Sequence, residues 1–187
     1  VRAVAEKKPD ARFILASEGS FGPHPYLYFV QSDHEALLFY DRKQDTEIYV
    51  EETSTETNHS EIEFGPRDNL NQFLKSVQFP EHALIVKPIG NEDLIFKGIS
   101  SYRALGQKMI ECFQASSKGK VLLSTDMRAC FNPLRMKVIE QASKKLLERL
   151  TTFCSACGQV GFGPSRAIPG LPCADCNTPS HITKELA

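Results

Sequence analysis

The sequence predicts an α/β protein, a mixed sheet with flanking helices, followed by a small C-terminal zinc-ribbon-like element. Three observations carry this. Apolar runs of strand length alternate with segments whose apolar residues recur at helical spacing. Gly- and Pro-rich breaks separate them. Two CxxC pairs, Cys154/Cys157 and Cys173/Cys176, stand fifteen residues apart near the C-terminus, a zinc-ribbon spacing. The expected division is an α/β core over 1–150 and a ribbon-like element over 151–187.

The elements follow in order. Residues 1–8 read as the tail of a helix. Residues 12–17 (RFILAS) form a compact apolar strand. Residues 18–25 hold two glycines and two prolines and are expected to be irregular. Residues 35–40 and 47–52 read as strands of a hairpin across a polar connection. Leu70, Phe73, Leu74 and Val77 give residues 68–77 a helical stripe. Residues 83–88 and 94–97 flank a turn at Gly90. A helix over 101–115 takes Ser100 as its expected N-cap, and 120–124 is a buried strand. Asn132-Pro133 starts a helix that runs to about residue 150, because Asn suits the cap and Pro the first turn.

A net charge of −1 provides no global basic field for nucleic acid or an anionic membrane. Residues 31–70 are rich in acids and 118–150 in bases. This describes either two solvated faces or a cleft with opposed walls. No apolar run is long enough to span a membrane and no signal peptide is visible. The paired cysteines read as reduced ligands rather than a disulfide framework, which implies a cytoplasmic protein. The first residue is Val1, so the chain reads as a fragment.

The cysteine quartet is the strongest motif. Four thiolates, Cys154, Cys157, Cys173 and Cys176, make a closed structural Zn2+ site with no open position for substrate. Iron is the competing metal. Three polar segments are the other candidates. The first supplies Glu18, Ser20 and His24, either as an anion cradle with an acid–base group or as an idle turn. The second supplies Glu56 and Asn58. The third supplies Asp126, Arg128, Asn132 and Arg135. It is either an anion site at a helix start or a loop stapled by an Asp126 ion pair. Glu52, Glu56 and Asp126 are candidates for a Mg2+ ion if their loops meet. Cys112 and Cys130 read as plain thiols, and His34, His82 and His181 belong to no recognisable constellation.

Taken together, residues 16–25 (ASEGSFGPHP), 54–58 (STETN), 125–129 (TDMRA) and 132–136 (NPLRM), with the CxxC pairs, resemble a bacterial family, domain of unknown function 6671. The resemblance covers nearly the whole chain and implies no activity. Some members begin with a further segment containing Lys-His-Gly or continue into another CxxC pair.

The residues themselves point to an enzyme, of hydrolase or transferase type, acting on a small phosphorylated or carboxylated molecule. Arg128 and Arg135 hold the anion, with Ser20, Asn58 and Asn132 beside them. Glu18 or His24 does acid–base work, and Glu56 and Asp126 orient substrate or Mg2+. The alternative is a zinc-ribbon binding module that contacts protein or nucleic acid through Lys137, Lys144, Lys145, Arg149 and Arg166.

Overall fold

The computed structural model describes residues 1–164 and 167–186, which gather into two compact units. The first takes Val1–Phe29, His34–Thr53 and the chain from Ile139 onward; the second takes Val30–Asp33 and Ser54–Val138. Strand β2 (Gln31–Asp41) and helix α4 (Pro133–Thr151) each contribute residues to both.

In the first unit β1 (Phe13–Pro23), β2 and β3 (Thr46–Ser54) form a sheet in that order. The connection 42–45 between β2 and β3 is short enough only for antiparallel neighbours. Along β3, Ile48 and Val50 are buried while Tyr49 between them is exposed, the period of two a half-covered strand requires. Leu37, Ile48 and Val50 pack with Ala142 and Leu146 of α4, and Phe39, Leu150 and Val160 close the edges. A smaller cluster joins Ala5 of helix α1 (Arg2–Lys7) to Ile14 and Tyr40. Arg12 clamps Asp41 through Nε (3.3 Å) and Nη2 (3.0 Å), and Asp41 also accepts the Lys43 N–H at the turn.

Residues 18–23 do not form the expected irregular loop. They continue β1, so Glu18 and Ser20 stand on a strand and only His24 lies beyond it. The reason is position. β1 is an edge strand, where a proline's missing N–H faces no partner.

The second unit is a four-stranded sheet in the order β4 (Glu61–Phe64), β7 (Val121–Thr125), β5 (Leu84–Pro88), β6 (Phe96–Ile99). Each of its ladders is antiparallel. Helix α2 (Asn71–Ser76) leads from β4 to β5, and α3 (Tyr102–Ala115) leads from β6 to β7. Each crossover skips one strand, so parallel partners are separated by an antiparallel neighbour. The single mixed sheet expected is therefore several small sheets. A third, of β8 (Ala167–Pro169) and β9 (Thr183–Leu186), is antiparallel as well.

The alternate residues Leu84, Val86, Val121 and Leu123 face Phe73 and Leu74 of α2 and Leu105 and Cys112 of α3 in one core. The cap of α3 is Ser101, whose Oγ accepts the Ala104 N–H, rather than Ser100. Ser101 has the extended backbone a cap requires. Helix α2 starts later than its apolar stripe suggests, because Asp68 accepts the Gly65 N–H and Asn69 the Asn71 N–H in turns before it. Among the described residues no helix is long and apolar enough to cross a membrane.

Leu123 is fully buried on a central strand. Leu123→Ala is expected to cost about 2–5 kcal/mol, read as a lower urea midpoint. A loss below about 1 kcal/mol would show that this cluster is not the core of the unit.

Candidate functional site

The polar residues of the second unit gather where β7 ends and α4 begins. β7 delivers Thr125 and Asp126. The Thr125 N–H donates to the Ser60 carbonyl (3.0 Å) and the Asp126 N–H to the Ala83 carbonyl (2.8 Å), which fixes the loop root. A 3₁₀ turn, Ala129–Phe131, then leads to Asn132, the cap of α4.

Asp126 is fully buried and its two oxygens accept four donors. Oδ1 takes the Arg128 backbone N–H (3.2 Å) and Nε (2.9 Å). Oδ2 takes Arg128 Nη2 (2.6 Å) and the Gly98 N–H (2.9 Å). Burial pushes the Asp126 carboxyl up, but the Arg128 and Gly98 donors outweigh it and hold it below its ordinary value. The Arg128 guanidinium lies 4.5 Å from the Phe131 ring centroid while its side chain stays half exposed, at 49 %. Gly98, at φ +71°, allows this approach: a Cβ there would lie 3.0 Å from Phe131 Cζ and 3.4 Å from Arg128 Nη2.

The start of α4 has its donors fully assigned. Pro133 has none. The Leu134 N–H donates to His82 Nε2 (3.2 Å), the Arg135 N–H to Asn132 Oδ1 (3.0 Å), and the Met136 N–H to the Asn132 carbonyl (3.1 Å). Asn132 Nδ2 donates to Asn58 Oδ1 (2.9 Å), and Asn58 Nδ2 donates to the Val77 carbonyl (3.0 Å). Arg135 donates from Nη1 to the Met127 carbonyl (2.6 Å). The second and third polar segments thus meet, through Asn58 and Asn132. Glu56 is exposed two residues from Asn58, its backbone N–H held by Ser54 Oγ. Glu18, Ser20 and His24 belong to the first unit. There His24 Nδ1 accepts the N–H groups of Tyr26 (3.2 Å) and Leu27 (3.3 Å), closing a turn. Glu52, a candidate for the Mg2+ set, accepts Lys145 Nζ at 2.8 Å.

Sequence reasoning missed two histidines and two acids. His82 caps α4 from a position 52 residues away. His34 joins a cross-strand set, with Nδ1 2.8 Å from Thr53 Oγ1 and Nε2 3.7 Å from Glu51, which also accepts the Tyr49 hydroxyl (2.8 Å). Asp33 and Glu35 are buried although they lie in the acid-rich stretch, and both engage partners.

The C-terminal cysteines occupy two copies of one backbone pattern. In the first, the Gly158 N–H donates to the Cys154 carbonyl (2.8 Å), the Cys154 N–H to Gln159 (2.8 Å), and Phe153 bridges Val160. In the second, Asn177 donates to Cys173 (3.0 Å), Cys173 to Thr178 (2.9 Å), and Pro172 bridges Pro179. Gly158 and Asn177 supply the left-handed backbone at matching places, φ +70° and +58°. The Cys157 and Ala156 N–H groups, with the Cys157 thiol, lower the Cys154 pKa; Thr178, first through its hydroxyl, lowers that of Cys176. Among the described residues no group of three or more His, Cys, Asp or Glu gathers as a metal set, so the thiols stand as two pairs. The first knuckle packs on its own unit. Gly161 donates to the carbonyls of Arg149 (2.9 Å) and Thr152 (3.0 Å), and Arg149 Nε donates back to Gly161 (2.9 Å).

The expected basic patch is largely neutralised. Lys144 pairs with Glu140 (2.6 Å) and Lys145 with Glu52, while Arg149 is spent on carbonyls of the knuckle. Arg166 lies outside the described residues.

A family model, a domain of unknown function numbered 6671, matches residues 3–185. The chain belongs to that family. No curated protein and no solved structure matches it.

The His82 ring is buried and accepts through Nε2, so the proton of its neutral form sits on Nδ1. Burial lowers its pKa from 6.5, against the opposing pull of the Gln78 carbonyl and Glu81. The unfolded chain therefore takes up a proton that the folded chain refuses. Stability is expected to fall as pH drops below about 6.5, until the folded pKa is reached. Urea midpoints measured between pH 7.5 and 5 for wild type and His82→Asn check this, at roughly half-unit intervals. The wild-type slope should be the steeper. Equal slopes would contradict the buried neutral ring.

Proposed function

We propose that the protein is an enzyme-type binder of a small anionic ligand, phosphorylated or carboxylated, with Arg128 as its anion anchor and structural zinc at its C-terminal knuckles. One observation carries the anion reading: Arg128 is locked by Asp126 on one edge and lies over Phe131, while its side chain is half exposed. A guanidinium held this way meets an anion with little further ordering, which is how Arg outperforms a flexible cation. Asp126 acts as its positioning residue. The carboxylate has no lone pair left for acid–base work while it holds four donors. The capped start of α4 supports the frame rather than the ligand.

The knuckles fit a metal by the chemistry of their donors. N–H and O–H groups aimed at sulfur stabilise thiolate, the form zinc binds. Cys154 and Cys157 of one knuckle and Cys173 and Cys176 of the other would hold the ion by drawing the two pairs together, and it would supply folding energy to a segment with little core of its own. Free thiols of this kind suit a reducing compartment.

For the anion site, thermal-shift and calorimetric titration with small phosphates and carboxylates should give a ligand whose affinity falls about 10- to 100-fold in Arg128→Ala. Binding that survives this substitution would refute the anchor. For the metal, purified protein should contain one zinc per chain, lost in Cys154→Ser and in Cys173→Ser. Metal-free wild type that keeps its melting temperature would refute the structural zinc.

A further inference from the structure

We infer that the anion taken by Arg128 is a planar carboxylate rather than a phosphate ester, an inference that rests on the anion-site reading above. A guanidinium offers two edges that match a pair of oxygens. Asp126 occupies the edge formed by Nε and Nη2. The remaining edge, Nη1 with the second proton of Nη2, is a flat fork whose parallel N–H bonds fit the two oxygens of a carboxylate. Nη1 donates to no described residue.

Charge selects in the same direction. Asp126 and Arg128 together carry no net charge, and Asp126 is held ionised by its donors. The single cation of the fork balances the charge of a monocarboxylate, whereas a dianionic phosphate keeps one charge without a counterion here. Phosphate sites compensate with clustered backbone N–H groups or further cations. Here the donors at the start of α4 are already spent on His82, Asn132 and its carbonyl, and Arg135 Nη1 is spent on Met127. Phe131 lies on the guanidinium face and the Gly98 backbone comes up beside Nη2, so both hold the plane of the fork.

The test is calorimetric titration of the full chain with acetate, pyruvate and benzoate, set against inorganic phosphate, glycerol 3-phosphate and AMP. Wild type, Arg128→Ala and Arg128→Lys are compared, each checked for folding by its melting temperature. The expected result is a carboxylate that binds at least about tenfold more tightly than any phosphate. Both variants should lose it, because Lys keeps the charge and lacks the fork. A phosphate that binds best and is lost in Arg128→Ala, whatever its affinity in Arg128→Lys, overturns the carboxylate assignment and leaves the anion site standing. Absence of any Arg128-dependent binding in either class overturns the anion site, and this inference with it.

Discussion

The saturated carboxylate of Asp126 organises the end of the second unit. A buried charge in a low-dielectric interior is tolerated only when its partners replace the water it lost. Asp126 has four: two from the Arg128 guanidinium, one from the Arg128 backbone and one from Gly98. The bond to Gly98 ties the loop after β7 to strand β6, two strands away in the sheet. The bonds to Arg128 fix the direction of the loop before α4 begins. One side chain therefore ties the loop to β6 and orients the Arg128 guanidinium.

A second network sits beside it and has a different task. Asn132, His82 and Asn58 satisfy the start of α4 and one another. Their bonds go to backbone groups and to one another, and of the three only His82 keeps a buried atom, Nδ1, without a hydrogen-bond partner among the described residues. This separates the candidates by chemistry rather than by proximity. Residues whose polar atoms are consumed inside the unit are frame, and Arg128, with one edge consumed, is the residue on which the proposed anion site rests. The knuckles show a similar economy. Two copies of one hydrogen-bond pattern place a cysteine pair each, with a left-handed residue at the same step.

Much of this was legible where the signal is local. Asn132-Pro133 announces the start of α4 because cap and first-turn preferences act within three residues. The CxxC pairs are legible because two thiols on one turn need no distant information. The turn between β2 and β3 is legible for the same reason. Contacts between distant residues were not. His82 reaches Leu134 across 52 positions, Asn58 reaches Asn132 across 74, and Gly98 reaches Asp126 across 28. No spacing rule marks such pairs. The continuation of β1 through Glu18 and Ser20 depends on its being an edge strand, a fact of topology rather than composition. Asp33 and Glu35 looked solvated because their neighbours are acidic, yet strand alternation buries them. An anion-holding role for Arg128 could be suspected from its company, while its stacking on Phe131 and the close approach of Gly98 depend on contacts between separate strands and loops.

The central claim is that Asp126 is ionised and saturated in the folded protein, so that Arg128 is held for an anion. Carbon-detected NMR titration of the Asp126 carboxyl, in wild type and in Arg128→Ala, measures this directly. The account predicts a midpoint below the ordinary value of 3.8 in wild type, moving upward when Arg128 is removed. A wild-type midpoint at or above 3.8, unchanged in the variant, would contradict it.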